Sequence, residues 1–167
     1  MEGFMKQMLS VFLMLIFAAV VSAQVANKKL GAQSFAGAIT IKASPQAVWA
    51  VLTDVTKLSK AMGFEYSGAA KFAKVGDHAQ VKIWGDNCGL TLIYAKPAAE
   101  LRFAIDPENG SYICQERWLL APAAGGTKLS LDERYTESGP QTADDLAAQV
   151  KSFNEALARL KAMCEGK

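Results

Sequence analysis

Beyond its N-terminal stretch the chain alternates between two periods of apolar residues. Phe35 to Lys42 reads as a strand, and Ser44-Pro45 then opens a helix, with serine suited to the N-cap and proline to the first turn. Val48, Val51, Leu52 and Val55 recur at helical spacing, and a second short turn through Lys57 to Met62 closes at Gly63. From there to Glu137, turn signals at Gly76-Asp77, Gly85-Asp86, Pro97-Ala98, Pro107 to Gly110 and Pro122 to Gly126 separate six strand-like segments. Connections this short imply an antiparallel meander. After Gly139-Pro140, Thr142 and Asp145 stand three apart as a weaker form of the capping box. Leu146, Val150, Phe153, Leu157, Leu160 and Met163 then fall on one helical face.

The order is strand, two short helices, six strands, long helix. An α+β architecture solves the burial problem: a seven-stranded bent antiparallel sheet with two short helices after strand 1 and the long C-terminal helix across its concave face.

Turn positions set the register, and a period of two sorts side chains between the faces. Ala79, Val81 and Ile83 share a face with Leu90, Leu92 and Tyr94, and these with Leu101, Phe103 and Ile105. The other parity holds His78, Gln80, Lys82, Thr91, Lys96 and Arg102, with Trp84 and Ile93 as apolar exceptions. In the last hairpin the inner parity takes Tyr112, Cys114, Glu116, Trp118 and Leu120, facing Leu129, Leu131, Glu133 and Tyr135.

Two glutamates thus stand on an otherwise apolar concave face, expected diagonally across neighbouring strands. A buried carboxylate is costly unless paired or hydrogen-bonded. Three readings stay open. The pair lies near a pocket mouth or bonds to the hydroxyls of Tyr94, Tyr112 or Tyr135; it orients the polar end of an apolar ligand; or one member is a general base for an enolisation or cyclisation step. The candidate ligand-binding set is Tyr94, Phe103, Tyr112, Glu116, Trp118, Glu133, Tyr135 and Phe153.

The N-terminus changes the setting. A short polar start with Lys6 precedes an apolar run from Met8 to Val21, and Val21-Ser22-Ala23 places small residues before Gln24. The run is shorter than the roughly 20 residues a bilayer span requires, so a cleaved signal peptide over residues 1–23 is expected rather than a permanent membrane anchor. A polar leader then covers 24–34 and a single domain 35–165. The mature protein is expected in the periplasm or secreted.

Composition closes other routes. A net charge of +2 provides no basic field for nucleic acid. Cys88, Cys114 and Cys164 are odd in number and have no CxxC spacing, and His78 is the only histidine, so neither a metal site, another cofactor nor histidine-based nucleophilic catalysis is expected. Cys88 and Cys114 share the inner parity but are separated by two strands, too far for a disulfide, which needs Cα atoms within about 7 Å. His78 reads as a surface histidine and Trp49 as helix-to-sheet packing.

The run from Ala38 to Asp54, AITIKASPQAVWAVLTD, resembles the opening of the START-like, polyketide cyclase/dehydrase (SRPBCC) superfamily with its helix-grip fold. Trp118 to Pro122 followed by Gly125 to Leu129 resembles that superfamily's last hairpin, so the likeness covers essentially all of Phe35 to Glu165. The resemblance implies a pocket for something apolar, but the superfamily includes lipid carriers, hormone receptors and aromatase/cyclases. The leader, first strand-helix unit and helical end are also similar to the MxaD-like periplasmic accessory proteins associated with methanol oxidation, which implies a redox-enzyme partner. The leading expectation is an exported, non-catalytic binder of a small amphipathic or apolar molecule. An accessory protein contacting an exported redox enzyme is the alternative, and a cyclase or aromatase the third.

Overall fold

The computed structural model describes residues 31–137 and 142–166. The expected signal segment, the leader as far as residue 30 and the Gly139-Pro140 helix signal lie outside the described residues. The elements run β1 (Gly31–Ile41), α1 (Pro45–Leu52), α2 (Val55–Met62), β2 (Glu65–Gly68), β3 (His78–Ile83), β4 (Asp86–Lys96), β5 (Glu100–Pro107), β6 (Tyr112–Ala123), β7 (Gly126–Glu137) and α3 (Ala143–Cys164). All seven strands form one antiparallel sheet in the order β1-β7-β6-β5-β4-β3-β2. This is the helix-grip arrangement that the element order predicts.

The first helix signal acts as expected. Ser44 accepts a hydrogen bond from the amide of Ala47 at 3.2 Å; α2 begins two residues before the expected Lys57, with Asp54 as a cap the sequence reading did not name, accepting from the amide of Lys57 at 3.1 Å. A strand boundary differs too. β1 starts at Gly31, so the end of the expected polar leader belongs to the sheet, because β7 runs on to Glu137 and offers partners as far as the Gly31–Glu137 pair.

α3 begins with a complete capping box: Thr142 Oγ1 accepts from the Asp145 amide at 3.2 Å, and Asp145 Oδ2 accepts from the Thr142 amide at 3.0 Å. Removing the cap by Thr142→Ala is expected to cost about 1 kcal/mol, read as a lower urea midpoint together with faster amide exchange in the first turn of α3. Phe153, Ala156, Leu157 and Leu160 seal against the sheet and α2, whereas Leu146 and Val150 are exposed. The predicted apolar stripe is therefore core only in its C-terminal part.

The alternation on the concave face holds with one correction. Ala79, Val81, Leu90, Leu92, Leu101, Phe103 and Ile105 are buried, as are Cys114, Trp118, Leu129 and Leu131. Tyr94 is on the convex face instead. Leu92 pairs with Phe103 but Tyr94 pairs with Arg102, so Ile93 is an extra residue and the bulge inverts the parity beyond it. Tyr94 is exposed, with the Arg102 guanidinium 4.9 Å from its ring centroid, and Ala95 takes the inward place opposite Leu101. His78 is on the convex face and exposed, its Nδ1 2.9 Å from Thr91 Oγ1. Trp49 is half-buried against the core.

Candidate functional site

A cavity of about 140 Å³ lies between the helices and the concave face. α2 and its exit supply Leu58, Met62, Gly63 and Phe64; the sheet supplies Ile83, Leu90, Ile105 and Glu116; α3 supplies Gln149, Ser152, Phe153 and Ala156. Trp84 completes the wall from the β3–β4 turn. That turn has two residues, Trp84 and Gly85, with φ of 51° and 92°, the left-handed pair that a tight hairpin requires. A tryptophan is a poor fit to that conformation. Its ring is more than half exposed and tilted against Tyr112, with centroids 5.9 Å apart.

The two glutamates meet more closely than expected. β6 and β7 are joined through Ala124 and Gly125, with Ala123 opposite Gly126, and this register sets Glu116 directly across from Glu133 rather than diagonal to it. Directly opposed residues on one face have Cβ atoms about 5 Å apart. Neither glutamate is bonded to a tyrosine hydroxyl in the way one sequence reading anticipated. Glu116 Oε2 accepts from Trp118 Nε1 at 2.9 Å. The Tyr135 hydroxyl donates to Gln149 Oε1 at 2.8 Å, and the Tyr112 hydroxyl lies 3.3 Å from Cys88 Sγ. Glu133 is fully buried, and neither of its oxygens has a hydrogen bond of ordinary geometry.

Burial governs the charge state of this cluster. Desolvation pushes the Glu116 carboxyl up to about 7 against the opposing hydrogen bond from Trp118. Desolvation and then the neighbouring Glu116 charge push Glu133 up to about 9, with the nearby Cys114 thiol acting weakly the other way. The Cys114 thiol is itself held far above its ordinary range, first by burial and then by the glutamate charges. It is therefore a packing group rather than a nucleophile. Burial likewise raises the Tyr112 hydroxyl. Cys88, Cys114 and Cys164 are all free.

Of the eight candidate residues, Glu116 and Phe153 line the cavity. Glu133 and Trp118 stand behind Glu116, Tyr135 holds the lining residue Gln149, and Tyr112 braces Trp84. Phe103 is deeper core, its ring 5.0 Å from that of Phe72, and Tyr94 is on the opposite face. The sequence reading missed the contribution of α2 and its exit altogether. It noted Trp84 as an apolar exception, but strand parity does not apply to a residue in the turn. Among the described residues there is no cluster of three His, Cys, Asp or Glu side chains suited to a metal, and no helix is long and apolar enough to cross a membrane.

The family model described as polyketide cyclase / dehydrase and lipid transport matches residues 32–165. Protein CV1439 from Chromobacterium violaceum superposes with a TM-score of 0.61 at 19% identity, over 79% of this chain and 96% of that one. Ara h 8.0201 superposes with a TM-score of 0.60 at 12% identity, over 82% of this chain and 100% of that one. DynU16, a protein of the dynemicin biosynthetic locus, gives 0.61 at 19% identity over 80% of this chain and 48% of its own. At such identities these likenesses establish the fold. No protein of curated function matches the sequence.

Proposed function

The chain belongs to the polyketide cyclase / dehydrase and lipid transport family, and from that premise we propose that it is a non-catalytic carrier of a small amphipathic molecule. The observation that carries this reading is the cavity itself, walled mostly by apolar side chains and carrying, among the described residues, one ionisable group, Glu116. Small-molecule sites gain affinity from such walls and orientation from a few placed polar groups. An apolar cavity of about 150 Å³ accommodates a benzene ring. The enclosed part of the ligand is thus about one ring in size, with room for more at the open mouth beside Trp84.

Native mass spectrometry of protein isolated from its own host should show a bound small molecule. Ala156→Leu pushes a branched side chain into the cavity and should lower occupancy at least roughly ten-fold without unfolding the chain. A bare wild type in repeated preparations would count against carriage. Export is part of the proposal and rests on the Met1 to Ala23 sequence. A mature mass beginning at Gln24 is its test.

Acid–base catalysis is a second reading, favoured by a carboxyl near neutrality at the cavity wall. Turnover of an enolisable ketone that Glu116→Gln abolishes would establish it.

A further inference from the structure

We propose that the polar end of the ligand is a protonated amine, held by Glu116 and by the aromatic faces at the mouth of the cavity. The inference rests on the carrier reading above and specifies its ligand class.

The polar inventory of the wall is one-sided. Among the described residues Glu116 is its only ionisable side chain, accompanied by Gln149 and Ser152, and no lysine, arginine or histidine lines it. Arg159 approaches Gly63 at the rim, but its Nε donates to the carbonyl of Ala61 at 2.7 Å. Glu116 is about nine-tenths buried and has its Oε2 engaged by the indole of Trp118. Its other oxygen accepts no hydrogen bond of ordinary geometry. A buried carboxylate left this way calls for a donor from the ligand, and a cationic donor makes the stronger bond.

The walls around that carboxylate suit the same cation. Phe64, Trp84 and Phe153 present three aromatic side chains to one small space, and Tyr112 braces the ring of Trp84 from the side. Aromatic faces attract ammonium groups, tryptophan most strongly. Trp84 is held at φ 51° in a conformation that bulky residues rarely adopt, and this places it at the mouth. Strain of that kind is characteristic of ligand clamps.

The arrangement also rejects the opposite charge. Behind Glu116 stands Glu133, directly across the strand pair and with no hydrogen bond of ordinary geometry. A ligand carboxylate would enter beside the Glu116 carboxylate, with no cation among the described residues of the wall to receive it. A neutral hydroxyl could donate one bond to Glu116, but it would gain neither the ionic nor the aromatic contribution.

Three probes of similar size on one phenyl–two-carbon skeleton separate these cases: 2-phenylethylamine, 2-phenylethanol and phenylacetate, titrated into the full chain and followed through the indole N–H resonances of Trp84 and Trp118. The amine should bind roughly ten-fold more tightly than the alcohol, and phenylacetate should bind most weakly or not at all. Glu116→Gln should bring the amine to within about three-fold of the alcohol while leaving the alcohol nearly unchanged. Trp84→Ala, at an exposed position that does not endanger the fold, should weaken the amine several-fold more than the alcohol. It decides the matter if the Glu116 variant does not fold.

Alcohol or phenylacetate binding as tightly as the amine would overturn the proposal and leave the carrier reading standing. Loss of all three probes to the same extent in both variants would also overturn it. If no probe binds, the proposal fails, and native mass spectrometry then shows whether the carrier reading fails with it.

Discussion

Replacing Glu133 with methionine is expected to stabilise the protein, and to do so more at pH 8 than at pH 5. Glu133 is fully buried opposite Glu116, with no ordinary hydrogen bond to either oxygen. Burial first, and the Glu116 charge second, raise its carboxyl to about 9, so the folded protein holds this proton where the unfolded chain releases it near the ordinary carboxylate value of 4.5. The sign follows from linkage: between those two values the native state binds more protons, and stability falls as pH rises. The contribution is fully present below the unfolded value and is lost progressively towards the folded one. Glu116, raised to about 7, adds a second loss over the lower part of the same window.

Wild-type stability should therefore fall as pH rises from 5 to 9, each proton contributing a slope of at most about 1.4 kcal/mol per pH unit. Methionine exceeds glutamate by about one methylene in volume, is flexible enough to repack, and has no group to desolvate. Urea midpoints across that range should show a gain of about 2 kcal/mol at pH 8 and a shallower pH dependence in Glu133→Met. A flat wild-type profile, or a variant weaker than wild type at pH 8, would refute this account. The wild-type sequence keeps a destabilising carboxyl behind a cavity, which agrees with a role in binding rather than in folding.

Gly126→Ala should have the larger effect on stability. Gly126 begins β7 just where the end of β1 crosses it, with Ile41 paired to Thr127. A Cβ at Gly126 would lie 2.0 Å from the carbonyl oxygen of Ile41 and 3.0 Å from the Cα of Lys42. Both neighbours are backbone, so no side chain can rotate away. Relief requires β1 to leave β7 at a point where Ile41 is fully buried and where the Thr127 hydroxyl donates to the carbonyl of Ala43 at 2.7 Å. The expected loss is about 3 kcal/mol or more, a fall of roughly 10 °C in Tm. Gly125→Ala is the control: a Cβ there meets nothing within 4 Å, and only its φ of 77° opposes the change. It should cost about 1 kcal/mol. Equal effects at the two glycines in thermal unfolding would remove the close-approach argument.

These two predictions differ in how far the sequence anticipates them. That Glu133 faces inward follows from alternation counted along β7, because burial of one sheet face forces a period of two on every strand. That it has no partner does not follow, since tyrosines of matching parity were equally available by count. In the fold, the Tyr135 hydroxyl reaches α3 at Gln149 and the Tyr112 hydroxyl reaches Cys88, and neither turns to the glutamates. At Gly126 the sequence shows a turn, but the crossing strand lies some 85 residues earlier in the chain.

Tyr94 marks the limit of strand counting. Leu92-Ile93-Tyr94-Ala95 carries no glycine or proline to announce an extra residue, yet the bulge at Ile93 turns everything beyond it to the other face. By contrast, the helix starts at Ser44 and Thr142 were legible because a cap satisfies its own neighbours within three residues.

The sequence by itself determined the order and type of the elements and the presence of two glutamates among apolar residues on the concave face. Each of these depends on spacing along one segment or on the length of one turn. Only the tertiary structure decided that Glu116 opens into a cavity while Glu133 stands closed behind it, and that Trp84 and the exit of α2 form the mouth. Those facts depend on the distance between α2, α3 and the sheet, which is set by the joint packing of side chains far apart in the chain and is encoded in no single stretch of it.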